Sequence, residues 1–519
     1  MISERRSECC RLGRVVSPSL FIRVLIVLGL WGWMAAPFGS HSFAALKDAI
    51  KLTASFKEAQ ACTMNPVVIN SADSGLGSLR EAILNACDGS TISFANTVVS
   101  PITLTGGQLT IDKNLAIAGP GAGALSISGN NASRVFDIAS GSFNVTISGL
   151  TVSNGNQSGN FGGGIRDAST GTLSLLNSTL SNGAAINGGG IFSESSGTIV
   201  VTNSTLSNNT ATFGSGGGGI TLAEGQLIIT NSLFTNNTSQ DGGAILNLGS
   251  APMTIINSTL TNNHADANFG GAIYDLDAPL VITNSTLANN SARIGGGIFT
   301  FSARPVTLKN TIVANNMASS SPDISGIVDS RDHNLIKDIV GVAITGVTTN
   351  NIYSQDPRLG ALQNNGGSTM TRALLPGSPA IDAGDDSVLG GPLFLTTDQR
   401  GLGFPRRLGL HVDIGAFESQ LFDTCLKDNS TGNLLQWNST TGAYTFTRCS
   451  DGFTLSGVGA IALVNGYRVI SDLKNNRRIN AGFNTGQLTG TATIYLQVAQ
   501  GVWQVFRIVS TNPFAACRC

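Results

Sequence analysis

The chain has 519 residues, with 30 basic and 31 acidic side chains, only 12% charged residues and no basic block, which argues against a nucleic-acid partner. Charge is about half the usual share while there are 64 glycines, and aliphatic residues recur throughout, so the composition suits stacked β surface better than a disordered chain. The length exceeds one ordinary domain but not a solenoid, in which each coil contacts only its neighbours.

Residues 1–44 read as an export signal. Arg5, Arg6, Arg11, Arg14 and Arg23 precede an apolar run from Val24 to Ala36, and Ser42, Phe43 and Ala44 supply a small-x-small cleavage site. The run is too short for a membrane span. The mature chain is therefore expected to be secreted or held at the cell surface, with no transmembrane segment.

Export changes the meaning of the cysteines. Six remain, Cys62, Cys87, Cys425, Cys449, Cys517 and Cys519, all near the two ends, and an even number in an exported chain reads as disulfides. Cys62 is expected to pair with Cys87, and Cys425 and Cys449 with Cys517 and Cys519 in an order left open. Zinc is the alternative, but His264, His333 and His411 stand far apart in sequence. Metal spacing is absent, and no cofactor is expected.

Residues 45–90 form an N-terminal cap segment. In SLREAILNAC (78–87) Ser78 can cap a helix, Glu81 completes a capping box, and Leu79, Ile83 and Leu84 make one apolar face. Such a helix would cover the first coil of a solenoid, whose open strands would otherwise pair with another molecule.

The solenoid itself is expected over 91–355. Between Phe161 and Asn316 one phrase, GGGI or GGAI, recurs six times, with its isoleucines 26, 29, 25, 28 and 25 residues apart. A second phrase runs from NSTLSN at 177 to NTIVANN at 310, with leading asparagines 26, 28, 26, 27 and 26 apart. Alternating runs such as TLSLLN, QLIITN and PLVITN lie between them and leave no room for helices. The fold class is all-β: a parallel β-helix of roughly three strands per coil, stacked at about 4.8 Å. Asn177, Asn203, Asn231, Asn257, Asn284 and Asn310 would fall at one corner, where Asn tolerates left-handed dihedrals and stacked amides pass hydrogen bonds along the column. Leu180, Leu206, Phe234, Leu260, Leu287 and Val313 would form an inward column. The N-S-T triplets follow from this corner, and N-glycans are not expected.

Residues 356–420 close the helix with DPRLGALQNNGGSTMTRALLPGSPAIDAG (356–384), TDQRG (397–401) and DIGAFE (413–418). With SLREAI (78–83), these motifs resemble the bacterial choice-of-anchor Q proteins. The GGAI and FTNN phrases are similar to those of chlamydial polymorphic outer-membrane proteins. The resemblance implies a right-handed, pectin-lyase-like β-helix on a secreted or surface protein, usually with no assigned reaction. Asp382, Asp398, Arg400, Asp413 and Glu418, which recur in the closing motifs, are expected to form a buried ion-pair cap at the end of the stack rather than a catalytic set.

Residues 421–519 read as a small antiparallel β domain stapled by its four cysteines, with Trp437 and Trp503 expected in its core rather than on a sugar-stacking face.

Two functions follow. The first is a non-catalytic scaffold with an adhesion or recognition role, its partner an extracellular carbohydrate or another cell-surface molecule. The second is a polysaccharide lyase or glycoside hydrolase, which needs carboxylates converging from adjacent coils. Asp167 and Asp275 share a column four coils apart and cannot touch. Asp266, Asp275 and Asp277, with Arg293 one coil on, form the only local acidic group, and a solvated loop suits them better than a calcium or sugar site. One tyrosine and no tryptophan in the repeats leave little platform for a sugar ring. A weaker third idea gives the Ser/Thr column at 178, 204, 232, 258, 285 and 311 a flat ice-binding role, against which variable coil length argues.

Overall fold

The computed structural model describes residues 62–419, apart from 213–215, 302–303, 376 and 409–410, and beyond them chiefly the strands between 424 and 510. The expected export signal and residues 45–61 of the cap segment lie outside the described residues.

Cys62 and Cys87 form a disulfide across the one described α-helix, α1 (Leu79–Asn85). Ser78 Oγ accepts from Glu81 N at 3.2 Å, and Glu81 Oε2 accepts from Gly77 N at 2.6 Å, so the capping pair fixes the start of the helix. Leu79, Ala82 and Ile83 are buried in the same apolar cluster as Ile92, Ile102 and Ile111. Leu84 is not part of that face; it is 74% exposed.

From Ser90 to Tyr353 the chain winds into a parallel β-solenoid. One wall is a ladder of eleven strands from Ile102–Thr103 to Ile352–Tyr353. Two others, one through Leu109–Ile111, Ile165–Ser169 and Ile298–Thr300, the other through Leu115–Ala118, Thr172–Leu176 and Val306–Lys309, count as one sheet because Ile324–Arg331 runs from one into the other. Each strand obeys its period of two. In Thr172–Leu176, Leu173 and Leu175 point inward while Thr172, Ser174 and Leu176 stay half-exposed. The column Leu180, Leu206, Phe234, Leu260, Leu287 and Val313 is in unbroken register and fully buried.

The glycine phrase answers two steric demands. The first glycine of most coils, such as Gly162 and Gly188, takes a left-handed φ of 67° and 63°. The second has no room for a side chain: a Cβ on Gly163 would lie 2.5 Å from Ala184 N and from Gly189 O in the next coil.

The six leading asparagines share one corner, with φ between +47° and +52°. Their side chains do not form a continuous column. Asn203 donates to Asn177 at 3.2 Å and Asn310 lies 3.5 Å from Asn284, whereas Asn257 donates to Thr397 O. The unbroken amide ladder runs instead through Asn209, Asn237, Asn263, Asn290 and Asn316, the second member of each NN pair. Each Nδ2 donates to the next Oδ1 at 2.9–3.0 Å, and Asn316 ends the series on Asp323 at 2.8 Å. Beside it runs a serine ladder: Ser178, Ser204, Ser232 and Ser258 each donate a backbone N–H to the next serine Oγ at 3.1–3.2 Å. These serines and Thr311 are buried, which removes the ice-binding face assigned to them.

After the last coil, Leu359–Gln363 pairs antiparallel with Thr371–Leu374. Antiparallel sheets of four strands (Thr424–Lys427 to Phe453–Val458) and five strands (Ala460–Val464 to Val502–Ser510) make up the C-terminal region. The expected pairing of Cys425, Cys449, Cys517 and Cys519, and the surroundings of Trp437 and Trp503, lie outside what is described.

Candidate functional site

The closing block does not sit on the end of the stack. It runs back along the eleven-stranded wall, against coils 231–316. Gly415 N donates to Asn310 O (2.8 Å), Ala416 N to Thr286 Oγ1 (3.1 Å), Thr259 Oγ1 to Gln399 Oε1 (2.5 Å) and Arg372 Nε to Thr261 Oγ1 (2.8 Å). Gln399 and Arg372 anchor this lateral docking although neither stands out in the sequence.

Within the block, Asp398 and Arg400 form an ion pair at 2.6 Å, both within 1% of full burial. The Arg400 guanidinium lies over Phe417 at 3.8 Å and Phe404 at 4.2 Å, and Nη2 also donates to Glu418 O at 2.6 Å. Glu418 accepts from Leu408 N, Asp413 N and Arg406 Nη2 at 2.9–3.1 Å. Burial, and then the charge of Asp413, push the Glu418 carboxyl up to about 8. Asp413 accepts from Asp382 N (2.7 Å) and Ser419 N (2.5 Å), and burial raises its carboxyl too. These oxygens are committed to backbone N–H groups and arginines, an arrangement that fixes turns. Fully buried Arg406, donating to Gly415 O and Asp413 O, completes the cluster. It was absent from the expected set, and its signal is its place in PRRLG beside DIGAFE.

Asp382, expected among the buried ion pairs, is only half-buried and joins that cluster through its backbone N–H alone. Its φ is +53°, its Oδ1 accepts from His411 N at 3.2 Å, and with His333, His411, Asn350, Asn351 and Ile352 it lines a cavity of about 430 Å³.

The local acidic group in the repeats disperses. Asp275 points inward and accepts from Asn247 Nδ2 (2.9 Å), Asp277 pairs with Arg304 (3.1 Å), and Asp266 pairs with His264 (2.8 Å). Asp167 and Asp275 share a register column four coils apart, as the repeat implies. Among the described residues no three His, Cys, Asp or Glu side chains gather to hold a metal ion.

The outer column of the wall that follows the glycine phrase carries more chemistry. In register it reads Asp137, Arg166, Phe192, Thr221, Leu246, Tyr274 and Phe299. Its first end is ionic: Asp137 accepts from Arg134 (2.8 Å) and Arg166 (2.9 Å), and Arg166 also pairs with Glu194 (2.6 Å). Its far end is aromatic. Phe269 stacks on Phe299 at 4.4 Å, Tyr274 meets Phe299 edge-on at 5.2 Å, and Arg293 lies over Phe269 at 5.5 Å. The three rings are half-buried. Burial, with Asp241 nearby, raises the Tyr274 hydroxyl above its ordinary range. The platform rests on phenylalanine more than on tyrosine or tryptophan, and its one mark in the sequence is that Phe269, like Phe161, immediately precedes a glycine pair.

The model of the right handed beta helix region matches residues 163–356. With the parallel stack from Ser90 to Tyr353, this makes that part of the chain a right-handed parallel β-helix. No curated protein and no solved structure matches it. Among the described residues no helix is long and apolar enough to cross a membrane.

Proposed function

We propose that this is a secreted or cell-surface β-helix protein, of the choice-of-anchor Q kind its closing motifs resemble, serving as a scaffold for adhesion or recognition of an extracellular carbohydrate. The observation that carries the reading is the half-exposed Phe269–Tyr274–Phe299 cluster with Arg293, which offers ring faces and a guanidinium to a polyhydroxylated ligand. The engagement of the nearby acids supports recognition over chain cleavage, since Asp275 is buried against Asn247 and Asp277 is paired with Arg304.

The test is a glycan array probed with the exported full-length chain and with Phe299→Ala and Arg293→Ala. Glycans bound by the parent are expected to lose about tenfold in affinity, or about 1.4 kcal/mol, in either variant at unchanged melting temperature. Binding that survives both variants refutes the platform. Mass spectrometry of the exported protein tests the location, with an N-terminus after Ala44 expected and a retained Met1 contradicting it.

A further inference from the structure

The residue that follows each NN pair falls on one short strand ladder, on which Thr210, Thr238, His264, Ser291 and Met317 are successive neighbours. His264 and Ser291 are therefore stacked directly on adjacent coils. Both ring nitrogens of His264 are engaged: Nδ1 lies 2.6 Å from Ser291 Oγ, and Nε2 lies 2.8 Å from Asp266 Oδ1. An ionised carboxylate only accepts, so the neutral ring carries its proton on Nε2 and offers the Nδ1 lone pair to the serine hydroxyl. A nucleophile, a base in hydrogen-bond reach of it and an acid orienting that base are the parts of a hydrolytic triad, here with the ring nitrogens in exchanged roles relative to the serine proteases.

We propose that Ser291, His264 and Asp266 form an ester-hydrolysing centre on the side of the β-helix, acting on short acyl groups borne by an extracellular sugar polymer. The His264 and Asp266 side chains are 48% and 56% exposed, so a long acyl chain finds no shelter here, while a small acyl group projecting from a large body can reach the hydroxyl. The aromatic cluster starts three residues beyond Asp266, at Phe269. Of the two arginines on these coils, Arg304 is paired with Asp277, whereas Arg293, two residues beyond Ser291, lies over Phe269 and has no ion-pair partner among the described residues.

In the reaction, Ser291 Oγ attacks the acyl carbonyl and its proton passes to His264 Nδ1. The ester C–O bond then breaks, and the sugar hydroxyl leaves with that proton. Water attacks the acyl-serine, gives its proton to Nδ1, and the carboxylic acid departs as Ser291 regains its proton. Asp266 is a positioning residue throughout. The substrate class rests on the recognition reading; the roles of the three residues do not.

The test treats the exported full-length protein with a fluorophosphonate probe and locates adducts by peptide mass spectrometry. One adduct at Ser291 is expected, absent in Ser291→Ala, slowed on the order of 10²-fold in His264→Ala, and unchanged in Ser250→Ala, an exposed serine elsewhere. Melting temperatures of these surface variants are expected to match the parent. Failure to label Ser291, or labelling at the parent rate in His264→Ala, overturns the centre. Labelling without acetate release from acetylated polysaccharides sustains the centre and overturns the substrate class.

Discussion

Three asparagines recur in every full repeat, and the side chains of the leading one and of the second of the NN pair have different duties. The leading ones occupy a left-handed corner; the second of each NN pair reaches inward and closes the ladder. Asn263 donates to Asn290 Oδ1 and to Phe234 O while its own Oδ1 accepts from Asn237 Nδ2 and N. Asn263→Ala strands several of these buried groups and is expected to cost on the order of 3–5 kcal/mol in denaturant unfolding. Asn203→Gly keeps the corner conformation and removes one exposed amide bond, so it should cost about 1 kcal/mol or less. Both asparagines were visible in the period, but both tolerate the same corner, and the sequence does not say which side chain points in. A second residue-scale effect concerns Asp167, Asp275 and Asp323, each 1% exposed, whose carboxyls burial pushes up to about 6. Because this lies above the unfolded value of about 3.9, the folded chain holds those protons more tightly. Each group's stabilisation is full below about pH 4 and is lost as pH rises through about 6. Asp275→Asn is expected to remove roughly 2–3 kcal/mol of that decline, measured as unfolding free energy against pH; an unchanged profile would contradict the burial argument.

At the scale of elements, the closing block is the largest departure from expectation. Its motifs announced a buried ionic cluster, and Asp398, Arg400, Asp413 and Glu418 are indeed buried. Where the cluster docks was not legible, because Gln399 and Arg372 meet hydroxyls of Thr259 and Thr261 more than a hundred residues away, and those threonines look like any other in the repeat. The energetic consequence is specific. Arg400→Ala leaves Asp398 buried without its cation and is expected to destabilise by about 3–5 kcal/mol. Arg406→Ala should cost a similar amount, since Glu418 and two carbonyls lose their donor. Chemical denaturation followed by tryptophan-independent circular dichroism reads both, and a loss below about 1 kcal/mol in either would show that the pairs add nothing to the docking. Helix α1 was legible from its capping pair alone; the exposure of Leu84 was not, because the face a helix buries depends on what lies beneath it.

For the molecule as a whole, the unequal coil lengths turn out to be harmless. Repeats of 25 to 29 residues keep every strand in register because the extra residues are taken up at the corners, so Leu173, Ile199, Leu227 and Met253 still stack directly. That stacking was readable from the period. The aromatic platform was not: Phe269, Tyr274 and Phe299 come from a corner and two strands, and only the winding of the chain collects them. The central claim is that recurrent residues build the stack while a surface patch recognises a carbohydrate whose main chain it leaves intact. Reducing-end and unsaturated-product release from a panel of plant and microbial polysaccharides, with and without calcium, tests this most directly. No release is expected from any polymer, including those the protein binds; sustained release by the parent, abolished by replacing an acidic residue of the repeats, would contradict it.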